Sequence, residues 1–148
     1  MKTWLLLLTL FGALALSGQD SGTINQKDGL ALEGYDLVSY FRGMAIRGSP
    51  EWEASHQGVA YRFTSERNLH LFQADPDRYL PAYGGWCAYA MGKSGNRVPV
   101  DPQIFKLVGG RLLLFNGSGL TNALKKWNKQ EDKLLRMADA NWDKTSGN

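Results

Sequence analysis

The 148-residue sequence predicts an α+β fold, with a small antiparallel sheet of two hairpins, several short helices and a C-terminal helical segment. Three observations carry this expectation. Trp52, Ala54 and His56 alternate with polar residues, Gln57-Gly58 reads as a turn, and Val59, Tyr61 and Phe63 resume the alternation at spacing two. The run IFKLVGGRLLLFN sets two apolar strands around Gly109-Gly110, a pair able to take the positive φ angles of a two-residue turn. From Leu120 to Trp142, residues Leu124, Trp127, Leu134, Leu135, Ala138 and Trp142 fall on one helical stripe, with a break expected near Lys129.

The first residues depart from this pattern. Lys2 supplies a positive start, Trp4 to Leu16 is almost wholly apolar, and Ser17 and Gly18 are small, which is the layout of a secretory signal peptide over 1–18. As a helix the apolar run would reach roughly 20 Å, short of the roughly 30 Å that a membrane span must cross. No stable membrane span is expected after cleavage, and the mature chain is expected to be periplasmic or secreted. Residues 19–29 are polar and Gly-containing, the composition of a flexible lead-in, and the domain is expected over 30–148.

Within the domain, LEGYDLVSYF mixes helical and strand spacings, so its type stays open. Ser65 is placed as an N-cap for a helix carrying Leu69, Phe72 and Gln73. Asp75-Pro76 starts another turn through Arg78 and Tyr79, which Pro81 ends, and Asp101-Pro102 repeats that cap-and-proline device. The stretch YGGWCAYAMGKSGNR reads as a short buried helix opened by Gly84-Gly85 and closed by Gly92 and Gly95.

Composition bounds the function. The formal charge of +3 falls to +2 once Lys2 leaves with the signal, and the C-terminal lysines are interleaved with acids, so nucleic acid is not an expected partner. The single cysteine, Cys87, rules out an internal disulfide.

The run Tyr61-Arg-Phe63-Thr-Ser65-x-x-Asn68-x-x-x-Phe72-x-x-x-Pro76-x-x-Tyr79 resembles the core of the YHS domain: an aromatic strand ending in Ser, a helix with a Phe, and a Pro-x-x-Tyr turn. GYDLVSYF upstream and LPAYGGWCAYAMGKSG downstream extend the likeness to the longer, exported subgroup of YHS proteins, over roughly residues 30 to 142. Members attached to heavy-metal transporters carry a Cys-x-x-Cys pair before the hairpin and a Cys-x-x-x-Cys across the strand–helix junction. Here the junction positions are Thr64 and Asn68 and no Cys precedes the hairpin, so the resemblance does not bring a structural zinc site with it.

The remaining candidates come from the residues themselves. Cys87 and Met91 stand four apart, one helical turn, and thiolate and thioether are the soft ligands that select Cu(I); His56 can serve as a third ligand. Against this stands plain core filling by a buried Cys and Met. Cys87 paired with His56 or His70 is the alternative of a small Cys–His enzyme. Tyr35, Asp36, Tyr61, Tyr83, Trp86, Tyr89 and Asp101 form a polar-aromatic set flanked by glycines, the composition of a small-molecule pocket or simply of packing residues with satisfied polar ends. Gly84-Gly85 is a candidate anion cradle at the following helix start. With no complete acid–base or nucleophile constellation in the sequence, the expectation is a binding or accessory module whose partner is a small molecule, a metal ion such as copper, or a protein.

Overall fold

The computed structural model describes residues 23–117 and 122–147, and the expected signal segment lies outside them. Among these residues the fold is α+β, as the sequence predicts. Strands β1 (Gln26–Lys27) and β2 (Leu30–Ala31) come first, followed by a 3-10 turn at Leu32–Gly34 and a short helix, α1 (Leu37–Tyr40). The segment left open by its mixed spacing is therefore helical, and Asp36 is the reason: its carboxylate accepts from the N–H groups of Val38 and Ser39, donors that a helix start leaves unpaired.

The first hairpin is β3 (Ser49–His56) and β4 (Val59–Phe63), turned by Gln57 and Gly58, both at positive φ. Its Ala54, Val59, Tyr61 and Phe63 are buried. Ser65 caps α2 (Glu66–Ala74) by accepting from Asn68 N–H, and Pro76 opens α3 (Pro76–Tyr79). A second 3-10 turn at Ala82–Gly85 leads to α4 (Ala88–Ser94). The second hairpin, β5 (Asp101–Val108) and β6 (Arg111–Phe115), turns on Gly109 and Gly110 at positive φ. The C-terminal helices α5 (Ala123–Asn128) and α6 (Glu131–Thr145) break at Lys129 and Gln130. Glu131 pins the break by accepting from Trp127 Nε1 at 2.8 Å and from Lys106 Nζ. None of the described helices is long and apolar enough to cross a membrane.

The two hairpins stand in separate sheets. One sheet runs β1-β2-β4-β3, with β2 parallel to β4 and the other pairs antiparallel; the other sheet is β5-β6 alone. The reason is visible in β6. Its Leu112 and Leu114 complete one buried cluster with Leu37, Tyr40, Phe63 and Phe72, while Leu113 and Phe115 complete a second with Met91, Trp127 and Leu134. Alternate side chains of a strand point to opposite faces, so β6 divides two cores, and the run LLLF is apolar throughout because both faces are covered.

Three local expectations change. Asp101-Pro102 opens a strand and not a helix: Asp101 pairs with Phe115, and its carboxylate accepts from Gln103 N–H at 2.9 Å. Pro102 is accommodated because the register slips between Asp101 and Phe105, and its carbonyl accepts from the Tyr40 hydroxyl at 2.6 Å. Gly92 does not end α4; it lies inside the helix, where a Cβ would come within 2.7 Å of the Leu134 carbonyl oxygen, and Gly95 provides the left-handed cap. The described part of the expected lead-in, 23–29, is built into the fold. Asn25 donates from its backbone to Gly84 O at 2.8 Å and from its side chain to Gly85 O at 2.9 Å, and Gln26–Lys27 pair with β2.

Candidate functional site

The Ala82–Gly85 turn has an unusual backbone. Tyr83 (φ 56, ψ 36), Gly84 (φ 60) and Gly85 (φ 83) are left-handed in succession. For a tyrosine this conformation costs about 1–2 kcal/mol, so the surroundings must hold it. Asn25 ties down the Gly84 and Gly85 carbonyls, and the Tyr83 hydroxyl donates to Asp139 Oδ1 at 2.8 Å. A Cβ on Gly84 would meet the Thr23 carbonyl oxygen at 2.0 Å, so only glycine lets the N-terminal segment come this close.

This turn is one wall of a cleft of about 340 Å³, closed by Leu32, Tyr61, Leu80, Arg111 and Trp142. Trp142 meets the Tyr83 ring edge-on at 6.3 Å. Arg111 lies over the Tyr83 ring at 5.4 Å and holds Asp139 with two nitrogens, at 3.0 and 3.3 Å, so its charge is matched inside the site. Burial first, and the hydrogen bond to Asp139 second, raise the Tyr83 phenol above its ordinary range, which keeps it a neutral donor. Burial alone pushes Tyr61 up to about 12. The cleft is thus preformed and largely apolar, with a few fixed polar groups, which is the composition of small-molecule sites.

The seven residues expected to form a pocket are dispersed, with only Tyr61 and Tyr83 lining this cleft. Asp36 is fully buried and acts as an interior lock. Its Oδ1 accepts from Val38 and Ser39 N–H at 2.8 and 3.2 Å, and its Oδ2 accepts from Thr64 N–H, Thr64 Oγ1 and Asn68 Nδ2 at 2.8, 2.8 and 2.7 Å. It therefore binds α1 to the strand–helix junction at Thr64 and Asn68. Tyr35 packs under the Arg47 guanidinium at 5.1 Å. Trp86 is half-buried at the end of the 3-10 turn, its N–H donating to Tyr83 O. Tyr89 is half-buried beneath the Lys126 ammonium, and Asp101 starts β5.

Cys87 and Met91 share the second cluster, as their spacing predicts, at 1% and 0% exposure, and Cys87 Sγ accepts from Asn116 N–H at 3.3 Å. Neither histidine is brought to them. His56 sits at the tip of β3, edge-on to Phe72 of the first cluster at 5.9 Å, and His70 is exposed on α2. Among the described residues no three His, Cys, Asp or Glu side chains gather as a metal site. The Gly84 and Gly85 carbonyls both accept from Asn25, and α4 begins beyond Cys87.

Arg111, Asp139 and Trp142 are the parts of the cleft that sequence patterning misses as site residues. Arg111 follows a turn and Asp139 sits on a polar helix face, and only tertiary packing brings both onto Tyr83. Fold and cleft together define a small α+β domain with a preformed apolar site. Comparison with family models, with curated proteins and with solved structures finds no match to this chain.

Proposed function

We propose that this chain is an exported binding module of the YHS type that takes a small apolar molecule into the Tyr61–Tyr83–Trp142 cleft. The observation that carries the reading is the left-handed Tyr83-Gly84-Gly85 turn, held by Asn25, Asp139 and Arg111 so that a strained backbone forms a fixed wall. Support for the YHS type comes from the motif residues: Tyr61, Phe63, Phe72 and Tyr79 are all buried in the first cluster, and Ser65 caps the helix between them. The Cys–His enzyme reading finds no such support, since Cys87 is enclosed in the cluster of Met91, Leu113, Phe115 and Trp127 while His56 packs on the other core. A Cu(I) site at Cys87 and Met91 would need a third donor other than His56. For export, N-terminal sequencing of protein recovered from a secreting host should find a chain starting near residue 16 or 19, and an intact Met1 in the membrane fraction would overturn it. For binding, apolar aromatic fragments should shift the amide NMR signals of Leu80, Gly84 and Trp142. The absence of any such shift at millimolar fragment would refute the cleft as a site.

A further inference from the structure

The charges lining the Tyr83–Trp142 cleft do not cancel. Among the described residues, Arg111 and Asp77 are the ionic side chains that line it. Arg111 is matched: two of its nitrogens meet Asp139 at 3.0 and 3.3 Å, and its guanidinium lies over the Tyr83 ring at 5.4 Å. Asp77 makes no ion pair among the described residues. It is exposed in the first turn of α3, and its neighbouring cation, Arg78, lies over the Tyr79 ring at 5.6 Å and outside the cleft lining. Leu80 and Pro81, which follow α3, belong to the apolar wall, so the Asp77 carboxylate stands at the rim of a largely apolar site.

We infer that the ligand is an apolar molecule with one cationic, ammonium-type end, its body in the cleft and its charge beside Asp77. This rests on the proposed binding reading and adds the ligand's charge to it. The sign follows from the lining. An unpaired carboxylate recruits the opposite charge, whereas a carboxylate ligand would be repelled by Asp77 and would find the Arg111 fork already on Asp139. The position follows from desolvation. An ammonium carried into the cleft would give up its water with no free counter-charge on the lining, whereas beside the exposed Asp77 it stays hydrated. Two of the aromatic walls do not draw it inward, because a guanidinium already lies over each: Arg111 over Tyr83 at 5.4 Å and Arg97 over Trp142 at 5.7 Å. Burial of the apolar body against Leu32, Leu80 and Trp142 then supplies most of the affinity, and the exposed ion pair adds a factor of about two to five.

The test is an NMR titration of the mature protein at neutral pH and low salt with three probes that share a ring and a short arm: 2-phenylethylamine, 2-phenylethanol and phenylacetate. The amine should bind about two- to fivefold more tightly than the alcohol, and phenylacetate more weakly than either, with the amide signals of Leu80, Gly84 and Trp142 moving for the amine and the alcohol. Raising the salt to about 0.5 M should shrink the amine's advantage. Asp77→Asn should bring the amine down to the alcohol's affinity while leaving the alcohol's affinity and the melting temperature unchanged, since Asp77 is exposed and makes no ion pair among the described residues. Equal binding of amine and alcohol at the cleft signals, or an amine preference that survives Asp77→Asn, overturns the cationic assignment and leaves the cleft reading standing. Tighter binding of phenylacetate overturns it as well and makes Arg111 the anchor. Failure of all three probes to move the cleft signals overturns the inference and the cleft reading together.

Discussion

Replacing Asp36 by asparagine tests whether the buried carboxylate is the clasp between α1 and the strand–helix junction. Asp36 is fully buried, and five donors converge on its two oxygens. An asparagine has one acceptor oxygen, so its amide nitrogen must face either Val38 and Ser39 N–H or the three donors from Thr64 and Asn68. In the milder arrangement two hydrogen bonds to a charged acceptor are lost and two N–H groups confront an NH₂. Such bonds contribute about 1.5–3 kcal/mol each, and relief of the buried charge offsets part of the loss, which gives a net cost of about 2–4 kcal/mol. Against a typical stability of about 5–15 kcal/mol this is a large fraction. The assay is urea unfolding at neutral pH, read as a shift in midpoint at constant slope. Thr64→Val, which removes one donor to Asp36 and one acceptor for Asn68, should cost about 1–2 kcal/mol, and its effect should be largely absent once Asp36 is alanine. An Asp36→Asn protein within about 0.5 kcal/mol of the parent, a typical surface effect, would refute the clasp.

Three further outcomes are expected. Burial raises the phenol pKa values of Tyr40, Tyr61 and Tyr83 above the ordinary value of 10, Tyr61 to about 12. Between pH 10 and 12 the unfolded chain therefore gives up protons that the folded one keeps, so stability is full below pH 10 and falls as pH rises; Tyr61→Phe should flatten part of that fall in alkaline urea titrations, and an unchanged slope would contradict it. Gly84→Ala should cost about 3 kcal/mol or more, because its Cβ would meet the Thr23 carbonyl oxygen at 2.0 Å, whereas Gly109→Ala, with open space around it, should cost only the left-handed penalty of about 1–2 kcal/mol. Equal melting temperatures for the two variants would count against the close approach. The Cys87 thiol, at 1% exposure, should react with Ellman's reagent only as fast as the protein opens, and prompt labelling of the folded chain would contradict its burial.

The local pattern determined much of this protein. Alternation from Trp52 to Phe63 marked the first hairpin, two apolar runs around Gly109-Gly110 marked the second, Ser65 marked the start of α2, and the interruption at Lys129 separated α5 from α6. These signals are carried by neighbours in the chain: the period of a strand, the unpaired donors of a helix start, and a glycine pair at a turn all act over a few residues. Asp36 shows where such reasoning stops. As a polar residue beside aromatics it reads as a pocket group or, better, as a turn or N-cap residue, and only the arrival of Thr64 and Asn68, 28 and 32 residues away, makes it an interior clasp. His56 and Cys87 likewise form a chemical pair on paper, but β6 turns Leu112 and Leu114 to one core and Leu113 and Phe115 to the other, and the two residues fall on opposite sides of that division. The cleft itself needs Asn25, Tyr83, Arg111 and Asp139 to meet across more than a hundred residues of chain. Which of several apolar faces and polar partners come together is settled by packing all of them at once, and no short-range period encodes that choice.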